Sequence, residues 1–145
     1  MIYPILTPEE AADYIQNGMN IGVSGFTIPG NVKVIPPAIA KKAIREHEAG
    51  REFKVNIYSG ASTNDYTDGE LSRAHALNYR TPYQSLPEVR NRINAGEVHY
   101  NDRHLSELAQ EFRYGYYGKM DVALIEVQSI TDDGEIVLGT AVGNF

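Results

Sequence analysis

The segment Ile21 to Gly30, IGVSGFTIPG, decides how this chain folds. Ile21 and Val23 favour a pleated, half-buried backbone, whereas Gly25 and Gly30 let the backbone turn sharply and bring another group close to its N–H donors. The segment therefore predicts a strand that delivers a glycine loop, the arrangement expected at a ligand-binding edge. The glycines fit neither G-x-G-x-x-G nor G-x-x-x-x-G-K-[ST], and no P-loop lysine follows, so the spacing does not name the ligand.

Working outward, Thr7-Pro8-Glu9-Glu10 opens a helix. Threonine caps, proline suits the first helical position, and the glutamates lie where the helix dipole favours negative charge. Ala11, Ala12, Tyr14 and Ile15 form the expected buried stripe, and Asn17-Gly18 ends the helix before a strand over 20–24. After the loop, Val34, Ile35, Ala38, Ile39, Ala43 and Ile44 recur at helical spacing through to Glu48. Pro36 and Pro37 place the start of this helix at its first turn. Phe53 to Ser59 then alternates like a strand and ends in Gly60-Ala61-Ser62. Strand, glycine loop, helix, strand, glycine loop implies a βαβ crossover and an α/β fold: an open, mainly parallel sheet with helices on both faces. Ligands of such sheets bind beyond the carboxyl ends of the strands, where both loops would lie.

The middle, Thr63 to Tyr100, is polar, aromatic and less regular, with a short helix opening at Asp68-Gly69-Glu70 and another near 86–95. Tyr79, Tyr83, Tyr100, Tyr114, Tyr116 and Tyr117 are expected mainly as packing residues, apolar in body and wet at the tip. Leu105, Leu108, Ala109 and Phe112 stripe a helix from about Leu105 to Tyr114. Val122-Ala123-Leu124-Ile125 is continuously apolar, which predicts a central strand covered on both faces. Thr131-Asp132-Asp133-Gly134 predicts a turn, with Glu135 to Leu138 returning as an antiparallel or edge strand. A third glycine loop, Gly139 to Asn144, precedes the last residue, Phe145.

The chain has 145 residues, 42 % of them hydrophobic, as expected of one domain with a real core. Nineteen acidic against 13 basic residues give a formal charge of -6, which argues against nucleic acid as a partner. The absence of cysteine removes disulfides, thiolate catalysis and cysteine-rich zinc sites. No apolar run approaches the roughly 18 residues of a membrane span, and no leader pattern opens the chain, so a cytoplasmic protein with no membrane partner is expected. Among His47, His75, His99 and His104, the run His99-x-x-Asp102-x-His104 lacks the spacing of a metal site, and no metal is expected. Ser24 and Ser62 sit at strand ends but in no G-x-S-x-G elbow. Glu126 ends a strand, where a carboxylate can serve as base or nucleophile, or simply accept hydrogen bonds from loop amides.

Several motifs in order carry a resemblance. They are Ser24-Gly25-Phe26-Thr27 with Gly30 and Lys33, Tyr58-Ser59-Gly60-Ala61-Ser62, Arg80-Thr81-Pro82-Tyr83-Gln84-Ser85 and Asn94-Ala95-Gly96-Glu97. His104-Leu105-Ser106-Glu107, Arg113 to Gly118, Asp121 to Val127 and Ala141-Val142-Gly143-Asn144 follow. Together they resemble the acetyl-CoA hydrolase/transferase family, of the family I type of CoA transferases, over nearly the whole chain. Glu126, the turn Ile130 to Gly134, and Val142-Gly143-Asn144 most resemble the acetyl-CoA hydrolase or succinyl-CoA:acetate CoA-transferase branch. The near alternative is the 4-hydroxybutyrate or butyryl-CoA:acetate branch. Asn31-Val32-Lys33 departs from the proline-lysine pair expected of the family.

The resemblance implies two similar open α/β domains and a ping-pong exchange of coenzyme A between carboxylic acids through a glutamate of the second domain. Residues 1–145 then correspond to the amino-terminal domain, inactive alone, with no catalytic residue of its own, and Glu126 does not take the nucleophile's place. The partners implied are acyl-CoA, small carboxylates, a carboxy-terminal domain and a second copy of the chain; coenzyme A is a substrate, and no permanently bound cofactor is expected. The site residues carried over are Gly25, Phe26, Thr27, Gly30, Gly60, Ala61, Ser62, Gly143 and Asn144. The backbone N–H groups of the glycines among them are expected to hold a carboxylate or thioester oxygen, with Phe26 excluding water. The alternative from another class is a non-catalytic domain of the same fold that binds a small metabolite.

Overall fold

The computed structural model describes residues 3–61 and 63–144, so the site prediction at Ser62 lies outside the described residues. Five strands, β1 (Asn20–Val23), β2 (Val55–Ser59), β3 (Leu77–Thr81), β4 (His99–Tyr100) and β5 (Val122–Leu124), form one sheet in the order β4-β3-β2-β1-β5. Every pair in it is parallel, with Ile21 opposite both Ile57 and Val122. The helices are α1 (Pro8–Asp13), α2 (Ile35–Glu48), α3 (Glu70–Arg73), α4 (Pro87–Asn94) and α5 (Leu105–Arg113). An antiparallel hairpin, β6 (Val127–Ile130) and β7 (Ile136–Leu138), follows the sheet, reversed by the predicted turn at 131–134.

The predicted starts of α1 and α2 hold for the physical reasons given. Thr7 and Glu10 form a reciprocal capping box, and prolines occupy the first turn of each helix. Ala12 and Ile15 are buried, but Tyr14 is 67 % exposed, because α1 ends at Asp13 and the chain turns before Tyr14 can join the stripe. One face of the sheet, carrying Ile21, Val23, Val55, Ile57 and Leu77, packs against Ala38, Ile39 and Ala43 of α2, Leu71 of α3 and Val89 of α4. Each of the Val, Leu and Ile side chains among them contributes about 1.5–3 kcal/mol on burial.

β5 is an edge strand, not the central one its sequence predicts. It pairs with β1 alone; Ala123 is exposed, and Val122 and Leu124 are partly covered. Continuous hydrophobicity reports that both faces suit apolar surroundings, and it does not report how many hydrogen-bonded neighbours a strand has.

The sequence reading passed over β3 and β4. β3 carries an extra residue relative to β2: Val55 lies opposite Leu77, but Asn56 lies opposite Tyr79. This bulge turns both Asn78 and Tyr79 towards the face away from the main core and erases the period-two pattern. On that face Asn78 Nδ2 donates to Asn56 Oδ1 at 2.8 Å and Asn56 Nδ2 donates to Asn20 Oδ1 at 2.9 Å, an amide ladder across three strands. Asn20 Nδ2 completes it on the carbonyl oxygens of Tyr117 and Lys119. Beside the ladder, Tyr58 meets Phe112 of α5 edge-on at 4.7 Å and also contacts Tyr79 and Tyr117. α5 thus covers the second face through aromatic rings.

Burial within that ring cluster, with a smaller contribution from Tyr79, pushes the Tyr58 phenol up to about 12. An unfolded tyrosine ionises near pH 10, so above that pH the unfolded chain loses a proton that the fold retains, and stability falls as pH rises towards 12. Urea midpoints compared at about pH 9 and 11 are expected to fall in the parent and to fall less in Tyr58→Phe; an equal fall in both would refute the assignment.

On the core side, Arg80 and Asp68 form an ion pair whose side chains are each 1 % exposed. Arg80 Nε and Nη2 donate to the two carboxylate oxygens at 2.7 and 3.1 Å, and Nη1 donates to the Thr81 carbonyl at 2.7 Å. Asp68 comes from a π-helical turn, Asp65–Gly69, that runs directly into α3. The bidentate pair therefore pins this turn to β3.

Candidate functional site

The carboxyl ends of β1 and β2 deliver the first two glycine loops to one edge, and the chain returning from the β6–β7 hairpin lays the third, Gly139 to Asn144, against them. Ser24 is fully buried at the end of β1 and works as a clasp. Its Oγ donates to the Gly30 carbonyl at 2.7 Å, closing the loop's neck, and accepts from the Glu126 N–H at 2.9 Å, joining that neck to the residue just beyond β5. Serine suits this point because one hydroxyl both donates and accepts.

Three glycines are obligatory here, among them Gly143, whose φ is 72° and whose Cβ would lie 2.5 Å from the Gly25 carbonyl oxygen. Gly25 has φ 118°, and a Cβ would run into Asn31 Oδ1, with Asn31 Cα 3.0 Å away. Gly30 has φ 71°, and a Cβ would land on the Ala141 carbonyl oxygen, with the carbonyl carbon 2.7 Å away. The third loop thus lies directly against the first. The second lies against the third: a Cβ on Gly60 would meet Asn144 N at 3.3 Å.

The loop's own amides bind these pieces together. Gly25 N–H donates to the Val142 carbonyl at 3.3 Å, Phe26 N–H to Pro29 at 3.0 Å, and Thr27 N–H to Ala61 at 3.0 Å. That corrects the expectation for Gly25, the glycine among these three residues. Their N–H groups are used within the protein, because three loops meeting at a sheet edge must satisfy one another's backbone polar groups. Thr27, a β-branched residue, is held at φ 52°, a conformation that costs about 1–3 kcal/mol and persists only where its surroundings fix it. Phe26 is 53 % exposed and Ile28 is exposed beside it, so the tip presents apolar side chains outward. Asn144 Nδ2 donates to the Leu105 carbonyl at 3.0 Å, anchoring the third loop to α5. A cleft of about 410 Å³ opens beside it, lined in part by Leu108, Phe112, Met120 and Asn144.

Lys33 and Glu126 form an ion pair at this edge, each side chain 38 % exposed. The Glu126 carboxylate accepts from Lys33 Nζ, a partner that neither of the two readings of Glu126 from sequence included. Sequence reading had no signal for this pair, because its members are far apart in the chain. The histidines are dispersed: His47 Nε2 lies 3.0 Å from the Phe53 carbonyl, and His75 contacts Arg92. Among the described residues no group of three potential metal ligands gathers, and no helix is long and apolar enough to cross a membrane.

An open parallel sheet of this kind is a fold shared with solved structures, an acyl-CoA transferase among them. RipA from Yersinia pestis superposes with a TM-score of 0.65 at 19 % identity, covering 90 % of this chain and 30 % of that one. The acyl-CoA transferase YdiF from E. coli O157:H7, in a thioester complex with CoA, gives 0.62 at 16 % identity, covering 79 % and 23 %. Residues 3–145 match the family described as the acetyl-CoA hydrolase/transferase N-terminal domain, and the chain belongs to that family.

Its relatives are enzymes. A propanoyl-CoA:succinate CoA transferase of Escherichia coli K12 is 41 % identical over 139 residues, 96 % of this chain and 28 % of the relative. A succinyl-CoA:acetate CoA-transferase of Clostridium kluyveri is 42 % identical over 140 residues, 97 % of this chain and 26 % of the relative. An acetyl-CoA hydrolase of Schizosaccharomyces pombe is 33 % identical over 145 residues, 96 % and 28 %. The chain therefore spans little more than a quarter of the length of these relatives.

Proposed function

We propose that this domain forms one wall of the acyl-CoA and carboxylate site of a CoA transferase or acetyl-CoA hydrolase, and that the nucleophilic carboxylate is supplied from outside residues 1–145. The observation that carries this reading is the interlocking of the Gly25, Gly60 and Gly143 loops at one sheet edge. Such a wall has a rigid backbone, an apolar tip at Phe26 and Ile28, and a neighbouring cleft beside Asn144. In a transferase, preorganised surroundings stabilise developing charge and exclude water from a reactive acyl intermediate. Within this reading Gly25, Thr27, Gly30, Gly60 and Gly143 shape the wall, while Phe26, Ala61 and Asn144 face the substrate. The relatives' names favour small carboxylates such as succinate, acetate or propanoate as acceptors or donors.

The test is an assay of the full-length protein against a panel of short acyl-CoAs, with and without acetate or succinate. Acyl exchange that depends on the added carboxylate is expected for a transferase, and free CoA release without it for a hydrolase. Residues 1–145 alone are expected to do neither. Binding of a metabolite with no CoA chemistry in the full-length protein would overturn the reading in favour of a sensor.

A further inference from the structure

We infer that Lys33 and Glu126 are a positioning pair for the reaction, acting through Asn31 on the strained loop tip Thr27-Phe26. This inference rests on the transferase reading above. The contacts run in an unbroken line from β5 to the tip. Glu126 follows β5 and is fixed there by its N–H on Ser24 Oγ, 2.9 Å. Its carboxylate holds Lys33 Nζ, which also donates to the Asn31 carbonyl at 3.0 Å. The Asn31 side chain, 1 % exposed as a residue, donates through Nδ2 to the Thr27 carbonyl. Thr27 is the residue at φ 52°, and its N–H donates to Ala61 of the neighbouring loop.

An ion pair this exposed adds little to stability, because water and salt screen it and both side chains lose freedom. Its place in the line gives it a different use. A β-branched residue in the left-handed region needs neighbours that over-determine its conformation, and Asn31 is one of them. The charge pair holds Asn31 by its backbone carbonyl, while the Asn31 side chain holds the loop. Without it, the backbone from Thr27 to Asn31 gains freedom while the sheet remains intact. Misplacement of a substrate-facing element by about 1 Å can cost 10²-fold in turnover.

The experiment is a double-mutant cycle in the full-length enzyme with Lys33→Met, Glu126→Gln and both together, reading kcat, KM and Tm. Each single change is expected to lower kcat by about 10²-fold while KM and Tm stay close to the parent. The double change is expected to cost no more than either single change, since the line is already broken once. Lys33→Arg, which keeps the charge and the reach, is expected to restore most of the turnover. Unchanged kcat in the single variants, additive losses in the double, or a fall in Tm that accounts for the lost activity would each overturn the inference. If Lys33→Met does not fold, the pair is structural and the inference fails. A parent enzyme without CoA chemistry would instead overturn the functional reading on which it rests.

Discussion

Asp68→Ala is expected to lower the unfolding free energy by about 3–5 kcal/mol, because it leaves the Arg80 guanidinium charged and without its carboxylate inside the core. Arg80 is among the largest fully buried side chains, and Asp68 supplies both oxygens of its bidentate partner. A domain of this size has about 5–15 kcal/mol in total, so the variant should lie near the limit of folding. The paired replacement Arg80→Met with Asp68→Leu removes both charges and is expected to recover most of the loss, since apolar groups of similar volume often substitute for a buried pair without penalty. Urea denaturation followed by circular dichroism measures both. A loss below about 1 kcal/mol in Asp68→Ala would mean that the guanidinium finds water or another acceptor, and that the pair does not pin the π-helical turn.

Gly30→Ala carries the largest expected effect on activity. The new methyl would occupy the space of the Ala141 carbonyl oxygen, and backbone cannot rotate aside as a flexible side chain can. The first and third loops must then separate, releasing the Gly25 N–H from Val142. Turnover of the full-length enzyme is expected to fall by about 10²-fold or more, with a much smaller change in the stability of the sheet. Gly50→Ala provides the control. Gly50 has φ 73°, nearly the same backbone, but open space where the methyl would go. It should cost about 1–2 kcal/mol of strain and no turnover. Equal turnover losses at both positions would show that backbone strain alone matters, and that the contact between loops does not.

The parts of the fold set by local chemistry were legible in the sequence. Thr7-Pro8 and Pro36-Pro37 mark helix starts because capping and a fixed φ act within a few residues. The glycine loops after Val23 and Ser59 were legible because a short β-branched run ending in glycine has few other conformations. What was hidden depends on residues that meet only in space. Asn78-Tyr79-Arg80 does not read as a strand, since the bulge cancels its alternation and Arg80 enters the core paired with Asp68, a residue distant in the pattern. Val122 to Ile125 looked central because hydrophobicity records burial potential and not neighbour count. At the site, the sequence reached the three loops but not their use of their own amides, nor the Lys33–Glu126 pair across 93 positions.

The asparagine row on β1, β2 and β3 has a consequence for how the strands find one another. Sliding one strand past its neighbour by two residues leaves every apolar side chain on its proper face, so burial by itself cannot reject that mispairing. The amides can. Such a slide in β1 against β2 would bring Asn20 opposite Tyr58, leaving Asn56 and Asn20 without each other's amides. The three asparagines therefore favour the observed alignment over arrangements that the hydrophobic core would accept equally.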